Sequence, residues 1–249
     1  MSFAPDLTSR VIRHERLLVS ATIVLLAALC WWYVAAYATA EGSSSGMGSM
    51  REAPLGTLVV MWCLMMIAMM LPSATPAILL YSRVRNVRNR DSSIAQTWVF
   101  VGGYLAVWLM FSIAAALAQK ALGGPSMALQ NRFAEAAILV ATGLFQLSPI
   151  KSACLSQCRS PAEFLTRHWR PRWNGAIGLG VRHGVYCLGC CWMLMALLFV
   201  GGVMNLLWVA ALTLLIAGEK LLPMGQLIGR ALGVALVFWG AAKLLLGGA

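Results

Sequence analysis

From Leu17 onward the chain keeps returning to long apolar stretches parted by short basic blocks. A helix rises 1.5 Å per residue, so about 20 apolar residues match a hydrocarbon core about 30 Å thick. Seven apolar stretches can be read, at about 17–38, 56–81, 97–118, 132–148, 175–204, 206–217 and 226–246. The expected fold is therefore all-α, a polytopic transmembrane helix bundle of about seven spans. It forms one domain over residues 17–249, after a polar segment at 1–16. The first stretch is long enough to span and no small-residue cleavage site closes it, so it is expected to stay as a helix rather than leave as a signal peptide.

Composition agrees, since 60% hydrophobic and 11% charged residues exclude an ordinary soluble domain. A net charge of +11 could suggest nucleic acid, but the basic residues sit in blocks between apolar runs, which is how membrane topology is encoded. Nucleic acid is excluded as a partner, and membrane lipid takes its place. With the N-terminus in the cytoplasm, that side holds 15 of the 19 Lys and Arg residues. The positive-inside rule then places the C-terminus outside, the expected location being a bacterial inner membrane. The polar stretch 151–174, rich in Arg and carrying Cys154 and Cys158, reads as a cytoplasmic loop. Gly175, Gly178, Gly180 and Gly184 leave open whether residues 175–183 belong to the following helix or approach it along the surface.

Residues 183–195, HGVYCLGCCWMLM, hold the densest group of metal-binding side chains. His183, Cys187, Cys190 and Cys191 stand at helical offsets that share one face. Cys154 and Cys158 make a second pair one turn apart. On the cytoplasmic side thiols stay reduced, so these residues point to a metal or redox site rather than to disulfides. Thiolates and thioethers select Cu(I), zinc or iron–sulfur clusters, and adjacent Cys190 and Cys191 do not have cluster spacing.

Copper is favoured over zinc by the second stretch, MWCLMMIAMMLP, where Met61, Met65 and Met69 form one helical row and Met66 and Met70 a neighbouring one. A methionine row is also ordinary helix packing and does not carry the assignment alone. With Met195 on the fifth span, ligands pass from thiolate inside to thioether outside, extended by Met47 and Met50 in the outer loop. That order suits a Cu(I) relay. Three polar groups complete the reading. Glu219 and Lys220 are expected to be structural, the Glu meeting a residue such as Arg230 and the Lys snorkelling to the interface. Arg182, if its segment is membrane helix, is the cation expected beside the thiolates.

Several motifs carry a resemblance. Met61-Trp62 with Ala68-Met69-Met70-Leu71-Pro72-Ser73 is followed by Cys154-x3-Cys158-Arg159-x-Pro161 and by Gly184-x2-Cys187-x-Gly189-Cys190-Cys191-Trp192-x-Leu194-Met195. Met204-Asn205-x2-Trp208 and Glu219-Lys220 complete the set. Together, over about 56–240, they resemble the bacterial family of predicted metal-binding integral membrane proteins, some members of which are called copper chaperones. The resemblance implies a copper-handling, non-enzymatic role, with supply of copper to a copper enzyme such as a tyrosinase in at least one member. Two alternatives stand beside it. One is a membrane thiol-disulfide oxidoreductase using Cys187 and Cys190, disfavoured by the cytoplasmic placement of its thiols; the other is a transporter with a structural zinc site.

Overall fold

The structure is a computed structural model that describes residues 4–42, 54–88, 94–122, 131–170 and 172–246. Met47 and Met50 lie outside the described residues. Among the described residues every regular element is a helix, as expected. The first three are α1 (Ala4–Gly42), α2 (Leu55–Arg88) and α3 (Ala95–Leu122). Then come α4 (Arg132–Leu147), α5 (Pro149–Arg159), α6 (Pro161–His168) and α7 (Trp173–Ala196). The chain finishes with α8 (Leu198–Gly201), α9 (Leu206–Leu221) and α10 (Gly225–Leu246).

All seven apolar stretches are helical, but not all are long enough by themselves to meet the length expected of a membrane span. Glu15–Thr39, Leu55–Asn86, Ala95–Ala121, Trp173–Gly201 and Gly225–Leu245 are each long and apolar enough to cross a membrane. Helix α4 qualifies only together with α5, across a bend of 63°, which would make six. Helix α9 has 16 residues, about 24 Å, and falls short of a hydrocarbon core of about 30 Å. Hydropathy finds apolar segments, whereas the caps that end them set their length.

Those caps can be read locally. Asn131 opens α4 by accepting from the Phe133 backbone N–H at 2.9 Å. Ser148 ends that helix and caps the next, its Oγ accepting from Lys151 N–H at 3.2 Å, and Pro149 follows where a missing donor costs nothing. Between α8 and α9 the chain turns at Gly202, whose φ of 88° suits glycine. Asn205 then caps α9 by accepting from Trp208 N–H at 3.2 Å.

Two expectations about local structure are resolved. Residues 175–183 belong to α7, so His183 and the three cysteines after it stand on one continuous helix. The stretch 151–174 is not a loop, because α5 and α6 fold it against the core with Leu155, Phe164 and Leu165 buried. Apolar residues at these positions were enough to pull a basic segment inward.

The helices pair in a consistent sense. Helices α1 and α2 run antiparallel, tied by Arg85 to Glu15 at 3.0 Å near one end and by Trp31 Nε1 donating to the Ala68 carbonyl at 3.1 Å in the middle. Helices α4 and α10 also run antiparallel, with Lys243 paired to Glu135. Helices α3 and α7 run parallel and nearly touch. A Cβ on Gly180 would stand 2.0 Å from the Phe100 carbonyl oxygen, and one on Gly103 would stand 2.5 Å from that of Ile177. Such contact is open only to small residues. The outward surfaces are apolar, with Leu207, Met110, Phe238 and Leu245 exposed, while the interior collects sulfur and charge: five methionines of α2, three cysteines of α7, and Lys151, Glu219 and Lys220.

Candidate metal centre

Helix α7 sets the centre of the site. Cys187, Cys190 and Cys191 are each 1% exposed and His183 only 2%, so the face read from spacing is the face turned inward. Within it, Cys190 Sγ donates to the Cys187 carbonyl at 3.0 Å and Cys191 Sγ to the same carbonyl at 2.9 Å. Both thiols are thereby parked on backbone. Cys187 Sγ, within reach of the Cys191 thiol, also takes partners from other helices.

Those partners come from α3 and α9. Tyr104 Oη lies 3.1 Å from Cys187 Sγ and also donates to the Met70 carbonyl at 3.1 Å. Lys220 Nζ lies 3.0 Å from the same sulfur, 3.2 Å from Ser73 Oγ and 3.9 Å from Met70 Sδ. Met70 Sδ is in turn 4.0 Å from Cys191 Sγ. One thiol, one thioether, one phenol and one ammonium therefore meet where four helices converge.

Helix α5 adds the upstream cysteines. Cys158 is within hydrogen-bonding reach of Cys187 and Cys190. Cys154 packs on Gly189, its Sγ 3.0 Å from where a Cβ on that glycine would stand. Helix α5 is held there by its own cations. Arg159 donates to the Leu222 carbonyl at 2.9 Å and to the Pro223 carbonyl at 2.7 Å, closing the C-terminus of α9. Lys151 reaches Glu219 at 2.6 Å and also bonds Gln146, while Gln146 Nε2 donates to Glu219 at 2.8 Å. The clamp therefore joins Cys158 on α5 to Lys220 on α9.

His183 stands one turn before Cys187, and its ring is boxed by Phe164, Tyr104 and Phe100 at centroid distances of 5.4, 5.7 and 6.1 Å. Its Nδ1 is buried without a hydrogen-bond partner. A buried imidazole nitrogen left unpaired is costly, and a ligand would relieve it.

The predicted residues thus divide. Cys158, Cys187, Cys190 and Cys191 are brought together, with Cys154 and His183 at the margin. Met61, Met65, Met69 and Met195 are all buried, and Met70, outside the predicted set, stands 4.0 Å from Cys191 Sγ. Met61 begins nine residues earlier on the same helix, about 14 Å along its axis. Two polar expectations are corrected. Glu219 pairs with Lys151, and Arg230 is exposed. The cation beside the thiols is Lys220, whereas Arg182 is exposed on the outside of α7. Lys220 was visible as an ionisable residue in an apolar segment, and such a residue is a functional candidate by default. Its position at the segment's end made it read as a snorkelling anchor. Tyr104 left no signal, since a lone hydroxyl on an apolar helix has many uses, and Ser73 stood only as the last residue of the motif that begins at Ala68.

The donor set fits a soft ion that needs few ligands. Among the described residues no group of three or more His, Cys, Asp or Glu stands preassembled for a metal. The reason is visible: Cys190 and Cys191 spend their thiols on the Cys187 carbonyl, and Glu219 spends its carboxylate on Lys151. Thiol and thioether sulfur are soft donors suited to Cu(I), and Glu219, tied to Lys151, withholds its carboxylate from a hard ion.

No curated protein and no solved structure matches the chain. The family described as "Copper chaperone" (PpoB2) matches residues 59–243, a segment that contains every residue of the sulfur cluster. The chain belongs to this copper chaperone family.

Proposed function

We propose that the protein is a membrane-embedded Cu(I) chaperone that holds the ion at Cys187 with Cys190 or Cys191, aided by Cys158 and Met70, and supplies it to a copper enzyme. The N-terminus lies in the cytoplasm and the C-terminus outside, in keeping with the distribution of Lys and Arg. The carrying observation is the meeting of Cys187, Cys191 and Met70 beside one buried ammonium, whose neighbouring carboxylate Glu219 is bound to Lys151. Cu(I) loading turns Cys190 or Cys191 off the Cys187 carbonyl, trading a weak thiol hydrogen bond for a metal bond. Burial of the Cys187, Cys190 and Cys191 thiols keeps an external thiol or disulfide from reaching them, which weighs against an oxidoreductase that exchanges disulfides with a partner.

The test is copper analysis of the purified full chain under anaerobic, reducing conditions, beside a variant carrying Cys187→Ser, Cys190→Ser and Cys191→Ser. The expected result is stoichiometric Cu(I) in the parent and loss in the variant. Equal copper in both, or a reversible thiol-disulfide couple without bound metal, would falsify the proposal.

A further inference from the structure

We infer that Lys220 selects the charge of the ion, admitting a monovalent soft ion and rejecting a divalent one; this rests on the Cu(I) reading above. Lys220 is buried, and its amine meets Cys187 Sγ, Ser73 Oγ and Met70 Sδ. Its neighbour Glu219 cannot neutralise it, because that carboxylate is bound to Lys151 and Gln146. The counter-charge of Lys220 is therefore the metal site itself.

Charge arithmetic then decides. Two thiolates and one Cu(I) leave a single negative charge, which one ammonium cancels, so the loaded site is neutral in a medium where net charge is costly. With a divalent ion on the same two thiolates the site carries a net positive charge. Coulomb's law also makes the repulsion between the ammonium and a divalent ion twice that for a monovalent ion at the same distance. A divalent ion recovers neutrality only by taking a third thiolate, from Cys158 or from the second of Cys190 and Cys191, and so by breaking one more thiol hydrogen bond than Cu(I) does. Softness alone does not separate Cu(I) from zinc or cadmium at cysteine. A fixed positive charge 3.0 Å from the central sulfur does.

The experiment measures Cu(I) and Zn(II) affinities by competition with chromophoric chelators, using the full chain in detergent, for the parent, Lys220→Met, Lys220→Arg and Cys187→Ser. The ratio of Cu(I) to Zn(II) association constants is expected to fall at least tenfold in K220M and to stay within threefold of the parent in K220R. A K220M ratio within threefold of the parent overturns the inference while Cu(I) binding, lost in C187S, keeps the chaperone reading. A parent that binds no Cu(I) overturns both. Should K220M give no folded protein, the parent is titrated with Cd(II), a soft divalent ion; stoichiometric Cd(II) binding that is lost in C187S overturns the inference.

Discussion

Lys151 and Glu219, 68 positions apart, meet at 2.6 Å with both side chains buried, and this contact fixes where Lys220 stands. Because Glu219 and Lys220 are consecutive on α9, holding the carboxylate toward α5 turns the next residue toward Cys187. Removing one partner of a buried pair leaves the other charge uncompensated, at a cost of about 3–5 kcal/mol. Lys151→Met is thus expected to lower the melting temperature in detergent sharply and to weaken Cu(I) binding. The double variant K151M/E219M removes both charges and is expected to recover much of the stability. Thermal unfolding of the three proteins checks this, and a double variant no better than K151M would show that packing, not charge, sets the loss.

The junction of α1 and α2 makes a second prediction. Pro72 has no N–H, so the Ala68 carbonyl four residues earlier loses its helical donor. Trp31 Nε1 supplies a replacement at 3.1 Å. Trp31→Phe leaves that carbonyl unpaired and is expected to cost about 1–3 kcal/mol. With Pro72→Ala the helix provides its own donor again, so the same tryptophan substitution should then cost markedly less. A double-mutant cycle by thermal unfolding measures the coupling, and additive losses would refute the account.

What could be read from the sequence follows from the range of the forces involved. Helices, and the inward face of His183, Cys187, Cys190 and Cys191, depend on local periodicity and were legible. The short lengths of α4 and α9 were not, because Ser148 and Asn205 act as caps only once their side chains have bonded particular backbone N–H groups. Met70 and Lys220 meet across 150 positions, a relationship set by the packing of α2 against α9 and by the Lys151 clamp. No single-chain pattern encodes that distance. Arg182 looked the better cation for the thiolates because it is next to His183, and helix geometry turned it outward.

Gly180 tests how closely the fold controls the site. A methyl group there would fall 2.0 Å from the Phe100 carbonyl oxygen, so Gly180→Ala has to push α3 away from α7. Tyr104 lies one turn along α3 from Phe100 and holds Cys187 at 3.1 Å. The substitution is expected to lower both the melting temperature and the Cu(I) affinity. Tyr104→Phe, which keeps the packing, should weaken Cu(I) binding with little loss of stability, by at most about 1.5 kcal/mol for one hydrogen-bonding group. Chelator competition and thermal unfolding on both variants separate the two effects.

The methionines of α2 separate holding from passing. Met70 touches Cys191, whereas Met61, Met65 and Met69 lie buried further along α2, in the direction expected to lead outward. Leucine has nearly the same volume as methionine, so each replacement costs less than about 1.5 kcal/mol of packing while removing a thioether. Met70→Leu is expected to weaken Cu(I) affinity about tenfold, the loss of one soft donor at the centre, equivalent to about 1.4 kcal/mol. Met61→Leu, Met65→Leu and Met69→Leu together should leave that affinity unchanged and slow copper delivery to an acceptor protein. Affinity is read by chelator competition and delivery by the activation rate of an apo copper enzyme across a reconstituted bilayer. Unchanged delivery in the triple variant would reduce the row to packing and confine the copper path to the cluster of Cys187, Cys191 and Met70.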